Sequence, residues 1–218
     1  MQKINTAISR NQFAVWSGMI GPIFFVATFA TEGWLRTGYH PLAMYVSALS
    51  LGPRGWIQVV NFIVFGILLL AFSLGIAAKF KNEKVSQAGP VLLTIIATGY
   101  LLSGPFIMDP EGTLRSQLTL HGTLHGLLGG IVFLLMPVSC FVFHRRFGKD
   151  PKWQSLRGWT LVSGIIISLA VILLTVATKL PATQNAFSGW HGFIQRAAIV
   201  PFMAWVFTFA LKLNKERR

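Results

Sequence analysis

Six long apolar runs constrain this chain more than any other feature of its sequence. They lack the period-2 alternation of barrel strands, and a helix needs about 20 apolar residues to cross a bilayer, a length that each run reaches. We therefore predict an all-α polytopic membrane protein, folded as a six-transmembrane-helix bundle. The predicted spans cover about residues 13–31, 55–78, 88–108, 122–143, 157–178 and 192–211.

The low density of charge excludes a soluble globular protein. Only 11 % of the 218 residues are charged, whereas soluble domains carry roughly 25 %. The connections between the runs are short and show no domain boundary, so residues 1–218 are predicted to form a single transmembrane domain. The one cysteine, Cys140, excludes an intramolecular disulfide.

The basic residues predict the orientation of the bundle. With a cytoplasmic N-terminus, 14 of the 19 Lys and Arg residues lie inside and five lie outside, and the positive-inside rule then places both termini in the cytoplasm. The net charge of +13 is explained by contact with anionic headgroups. Membrane lipids are therefore the predicted partners, nucleic acid is not, and the oligomeric state is left open. The inner set is Lys3, Arg10, Lys79, Lys81, Lys84, Arg145, Arg146, Lys149, Lys152, Arg157, Lys212, Lys215, Arg217 and Arg218.

Polar residues gather at the predicted outer face. Ionisable groups close to hydrocarbon are costly unless they are paired or wet, and so they indicate a functional site. The alternative is that they anchor the bundle at the interface with water. The predicted ligand-binding cluster contains His40, Arg54, Arg115, Trp190 and Arg196.

Three of the histidines, with one aspartate, form a candidate metal site. His121 and His125 are four residues apart and share a helix face, while Pro110 turns Asp109 out of the third span. Together with His191, they could hold zinc and activate a water molecule. The alternative is that the histidines bond to neighbouring helices, and that Asp109 turns the chain or pairs with an outer arginine.

Two further features lie next to these residues. The glycines at positions 122, 126 and 130 form a small-residue ridge, which predicts close approach of a neighbouring helix. The segment between spans one and two has Pro41 where a short helix could begin and Gly52 where it could end. Within that segment Ser47 is a candidate nucleophile, or a serine that bonds to a nearby carbonyl, and Asp109 is the second catalytic candidate.

Four stretches resemble the bacterial and archaeal family called domain of unknown function 998. They are the glycine-rich first span, the sequence YHPLAMYVSALSLG at 39–52 followed by Gly55 and Trp56, FIMDP at 106–110, and His121 at the start of span four. The resemblance implies a multi-pass helical protein of a bacterial or archaeal cell membrane and gives no activity.

A looser comparison concerns the superfamily of alkaline ceramidases and adiponectin receptors. That group uses a serine, an aspartate and three histidines around zinc, and Ser47, Asp109, His121, His125 and His191 supply the same residue types. Their order and the span count differ, so the likeness is one of site composition alone. Three hypotheses stay open: a binding protein for a lipid headgroup, small solute or partner; a metal-assisted lipid hydrolase or transferase; and a small transporter.

The orientation can be tested by cysteine labelling. Single cysteines in a Cys140-free background should react with an impermeant thiol reagent at 112–116 and 183–187, but not at 147–152, because only the first two windows are predicted to lie outside. The reverse pattern would place the histidines in the cytoplasm.

Overall fold

A computed structural model describes residues 2–83, 85–180, 183 and 186–216, with side chains from residue 12 onwards. Lys84, Arg217 and Arg218, like the side chains of Lys3 and Arg10, belong to the orientation prediction but lie outside the described residues, as does part of the window 183–187. Within the described part of the chain, every regular element is a helix, which confirms the all-α prediction.

The six long α-helices follow the six predicted spans. Five of them, counting from Gln12 in the first, have the length and hydropathy of a membrane span, and the third is apolar but has 16 residues. It ends at Ser103, five residues before the predicted end, because Gly104 and Pro105 follow and proline disfavours helix at the residue before it. The helices are α1 (Gln2–Leu35), α2 (Gly55–Asn82), α3 (Ala88–Ser103), α4 (Leu120–Phe147), α5 (Gln154–Lys179) and α6 (His191–Lys215).

The helices form a closed ring. Each packs against its neighbours along the chain, and α6 packs against both α5 and α1. Segment 36–54 covers the end of the ring at which α2, α4 and α6 begin, and we call this the capped end. The opposite end, which carries basic residues in the last turns of α2, α4 and α6, is called the basic end.

Aromatic side chains fill the interior of the ring towards the basic end. Phe209 of α6 lies with its ring centroid 5.0 Å from Phe143, 5.2 Å from Phe147, 5.5 Å from Trp153 and 5.8 Å from Trp205. All five side chains are buried, and edge-to-face pairs at such distances are favourable. The centre of the ring is therefore filled by side chains in this half of the bundle.

Glycines allow close helix contacts, but only in part where the sequence predicts them. A Cβ on Gly66 of α2 would lie 2.5 Å from the backbone nitrogen of Leu101 in α3, and one on Gly122 would collide with Asp109. A Cβ on Gly126 or on Gly130 would meet nothing within 4 Å. The predicted approach of a neighbouring helix to this ridge is thus wrong, because Gly122 meets Asp109 of the connection before α4 and no neighbouring atom approaches Gly126 or Gly130.

These glycines provide a matched pair of substitutions. Gly66→Ala should destabilise the bundle by about 1–3 kcal/mol, because overpacking against backbone forces α2 and α3 apart. Gly126→Ala should leave stability unchanged or slightly higher, since alanine is the better helix former. Thermal unfolding in detergent, followed by size-exclusion fluorescence, measures both, and equal stability of the two variants would contradict the packing described.

Candidate functional site

Segment 36–54 folds back into the bundle. Gly38 and Gly52 adopt φ values of 78° and 74°, and a 3-10 helix runs over Val46–Ser50. All five residues of this 3-10 helix are buried. The short helix predicted between Pro41 and Gly52 is therefore present in part, as a 3-10 turn inside the capped end.

Arg196 of α6 fastens this segment. Its Nη1 donates to the carbonyls of Pro41 at 2.6 Å and Met44 at 3.0 Å, and its Nη2 donates to the Tyr39 hydroxyl. The guanidinium carbon also lies 5.7 Å from the ring centroids of Phe29 and Tyr39, a cation–π distance. One charged side chain thus donates hydrogen bonds to two carbonyls of the non-helical backbone and to the side-chain hydroxyl of Tyr39.

The first turn of α6 completes the attachment. The backbone amides of Gly192 and Phe193 donate to the carbonyls of Ala43 and Leu42 at 3.1 and 2.8 Å. A Cβ at position 192 would collide with the carbonyl oxygens of Pro41 and Met44, so this contact requires glycine.

Two acidic side chains hold other parts of the segment. Glu32 of α1 accepts hydrogen bonds from Arg54 and Arg36, whose Nη1 donates in turn to the Leu51 carbonyl at 3.0 Å. Glu111 accepts from the Tyr45 amide at 3.1 Å. Burial, reinforced by the Glu111 carboxylate, raises the pKa of Tyr45 to about 12, so this phenol is neutral at physiological pH.

A small cavity lies beneath the segment. Its volume is about 40 Å³, which is enough for one or a few water molecules or for a small polar group. Apolar side chains and a glycine form part of its wall: Val46, Phe62, Gly129, Val132, Phe133 and Ile199. Five polar side chains form the remainder, which are Ser47, Tyr100, Ser103, His125 and Gln195.

The polar side chains of the cavity are only partly hydrogen-bonded. Gln195 Oε1 accepts from the Val46 amide at 2.7 Å, and Ser103 donates to the Gly99 carbonyl at 2.8 Å. Tyr100 is 4 % exposed and its hydroxyl is buried with no partner among the described residues. Because buried polar groups are almost always paired, this hydroxyl is an exception among the side chains that line the cavity.

His125 has a defined tautomer. Its Nδ1 lies 2.7 Å from the Phe106 carbonyl oxygen, which can only accept, so Nδ1 carries the proton. In the neutral ring Nε2 is then an acceptor. The imidazole also meets the Phe62 ring edge to face at 6.0 Å, which holds the ring at the cavity wall.

The four predicted metal ligands do not come together. Asp109 accepts from the amide and hydroxyl of Thr119, the N-cap of α4, and the exposed His121 places Nδ1 3.2 Å from the Pro105 carbonyl oxygen. His191 stacks on Tyr45 at 5.8 Å. Each side chain instead fixes a turn or a segment, and among the described residues no group of three His, Cys, Asp or Glu side chains is placed to hold a metal ion.

The remaining predicted residues divide into two groups. Arg54 and Arg196 hold segment 36–54, as described above. His40, Arg115 and Trp190 are exposed, and Trp190 packs its ring against Phe193 at 5.9 Å. Of all the predicted residues, only Ser47 and His125 line the cavity.

Sequence reasoning missed three of the polar residues of the cavity. Tyr100 and Ser103 are three residues apart near the end of α3, and so they share one face of that helix. Gln195 lies in the first turns of α6, next to Arg196. Polar residues at helical spacing inside an apolar run were the available signal.

The attachment of segment 36–54 can be tested at Arg196. Arg196→Ala removes hydrogen bonds from a charged donor, each worth about 1.5–3 kcal/mol, so amide exchange in peptides covering 40–52 should accelerate at least about tenfold. Arg115→Ala removes an exposed arginine at the same end and is the control. Unchanged exchange in the Arg196 variant, measured by mass spectrometry, would show that the segment is held by other contacts.

Comparison with known proteins yields one match. Neither the curated proteins nor the solved structures include one with significant similarity to this chain. Residues 19–212 match the family described as "Protein of unknown function (DUF998)". This range contains the second half of α1, all of α2 to α5, most of α6, segment 36–54 and the cavity. The chain is thus a member of the DUF998 family.

Proposed function

We propose that this protein spans a bacterial or archaeal cell membrane six times, with both termini in the cytoplasm, and binds a small uncharged polar group beneath segment 36–54. We count the short α3 as a span, which brings the total to six, because it runs from the basic end to the capped end. A Cβ on its Gly89 would meet Phe143 near the basic end, and one on its Gly99 would meet Val132, which lies closer to the capped end of α4.

The buried Tyr100 hydroxyl is the observation that carries the binding proposal. Leaving a buried hydroxyl unpaired costs about 1–3 kcal/mol. A ligand that bonds to this hydroxyl recovers that energy, and Ser47, Gln195 and His125 offer further donors and acceptors around the same space.

The wall of the cavity selects the class of ligand. Of the eleven described residues that line it, none is Asp, Glu, Lys or Arg, so an ion would be left without a counter-charge and the site favours an uncharged group. The aromatic rings of Phe62 and Phe133 favour an apolar part beside the polar one. A hydroxyl or amide group fits, either in a small solute or in the head of a neutral lipid.

The same geometry disfavours the transporter hypothesis. The cavity is confined to the capped half, and the aromatic cluster around Phe209 fills the interior below it. Passage of a solute would require these buried rings to separate, whereas binding requires none of them to move.

The direction in which one substitution changes the melting temperature tests the proposal. In mildly purified protein that retains its ligand, Tyr100→Phe should lower the melting temperature, because a ligand hydrogen bond is lost. After exhaustive detergent washing, the same substitution should raise it, because an unpaired hydroxyl is removed. Thr98→Val, which removes an exposed hydroxyl of the same helix, should show no such reversal.

Solvent extraction and mass spectrometry then identify the ligand. Wild-type protein should release a neutral, hydroxyl- or amide-bearing molecule that is depleted in Tyr100→Phe. If Tyr100→Phe is stabilising in both preparations and wild-type extracts contain no such molecule, the cavity holds only water and the proposal fails.

A second candidate function is acyl transfer at Ser47. Its hydroxyl makes no hydrogen bond within the described residues, and Ser47 shares the cavity wall with His125. Ser47 Oγ would attack an ester carbonyl while Nε2 takes its proton and returns it to the departing alcohol; water would then release the acid. However, no hydrogen bond joins these two described side chains, and for this reason binding is the preferred function.

Covalent labelling tests the second candidate. A fluorophosphonate probe should label Ser47, and Ser47→Ala should abolish the label. Ser50→Ala, which removes a buried neighbouring hydroxyl, should leave labelling intact. Wild-type protein that stays unlabelled would exclude Ser47 as an activated nucleophile.

A further inference from the structure

A second concave site lies at the basic end, remote from the cavity. It is a cleft of about 500 Å³, bounded by the last turns of α2 and α4 and the first turn of α3. The cleft and the capped-end cavity share no lining residue, so the two sites are independent.

Three cations line this cleft. Arg145 and Lys149 form no ion pair with any described residue, whereas Arg146 bonds to Asp150 at 3.2 Å and lies 3.5 Å from Glu83. The Arg146 guanidinium also lies over the Phe80 ring at 5.2 Å. Arg146 is therefore held in place, while the charges of Arg145 and Lys149 are left available to an anion.

The start of α3 adds positive potential to the same space. Ser86 and Gly89 line the cleft, and the first turn of this 16-residue helix contains no acidic residue. The N-terminus of a helix attracts anions through its unpaired amides and its dipole. The helix end and the three basic side chains therefore both favour an anionic ligand.

The rest of the cleft is apolar. Phe80, Val142 and Phe143 form its inner wall, and beyond it α3 and α4 expose large apolar side chains such as Val91 and Phe141. A free inorganic anion would leave this apolar surface uncovered, whereas an acyl chain would cover it.

The geometry points to a binding site for an anionic phospholipid. Its phosphate lies among Arg145, Arg146 and Lys149, and an acyl chain follows the exposed apolar surface of α3 and α4. Basic pockets between membrane helices are suited to such head groups, because the arginine fork and the lysine ammonium pair with phosphate oxygens.

Titration of delipidated protein with short-chain phosphatidylglycerol, read by native mass spectrometry, tests the site. Each basic residue near a membrane surface contributes about 1 kcal/mol to the binding of anionic lipid, so Arg145→Gln with Lys149→Gln should weaken binding about 30-fold. Lys81→Gln with Lys152→Gln removes the same charge from the same end outside the cleft and should change binding less than about threefold.

Three further measurements separate the outcomes. Arg145→Lys with Lys149→Arg keeps the charge at both positions. This variant should retain binding to within about threefold, because a basic side chain still faces the phosphate at each position. Equal losses of lipid affinity in the cleft pair and in the control pair would show that general surface charge, and not the cleft, attracts the lipid. Phosphatidylcholine that binds as tightly as phosphatidylglycerol, or inorganic phosphate that stabilises the protein as well as the lipid does, would overturn the proposal.

Discussion

The structure depends on how non-helical backbone is accommodated inside the capped end. Within a membrane, irregular chain is tolerated only where its carbonyls and amides find partners in the protein. Segment 36–54 meets this requirement through Arg196, which donates to the Pro41 and Met44 carbonyls, and through the first amides of α6. The 3-10 helix at Val46–Ser50 can then be buried, and its residues Val46 and Ser47 form the roof of the cavity.

The two halves of the interior consequently differ in chemistry. Around Phe209 the ring is filled by aromatic side chains; the Trp205 indole donates to the Thr160 hydroxyl at 3.0 Å, while the buried Trp153 indole nitrogen has no partner among the described residues. Below segment 36–54 the packing is interrupted, and Tyr100, Ser103, His125 and Gln195 face a shared space. A polar cavity is costly in a membrane protein unless its groups are satisfied.

The sequence predicts the helices well because hydropathy acts locally. Each apolar run became a helix. Most of the helices extend beyond the predicted spans, and only α3 ends before its predicted end, since Gly104 and Pro105 interrupt the run without making it less apolar. The site could not be predicted in the same way. Arg196 and Pro41 are 155 residues apart, and the histidines share a level in the bundle without sharing a point in space. Spacing along one helix placed His121 and His125 together, but their Nδ1 atoms bond to the successive carbonyls of Pro105 and Phe106.

Closure of the ring between α1 and α6 sets an order for biogenesis. The chain is synthesised from its N-terminus, so α2 to α5 all emerge before α6 can pack against α1. Until then segment 36–54 lacks Arg196 and the amides of Gly192 and Phe193, and the hydroxyls of Ser47 and Tyr100 border an incomplete wall. The nascent bundle therefore exposes its polar interior longest on the side that α6 finally covers.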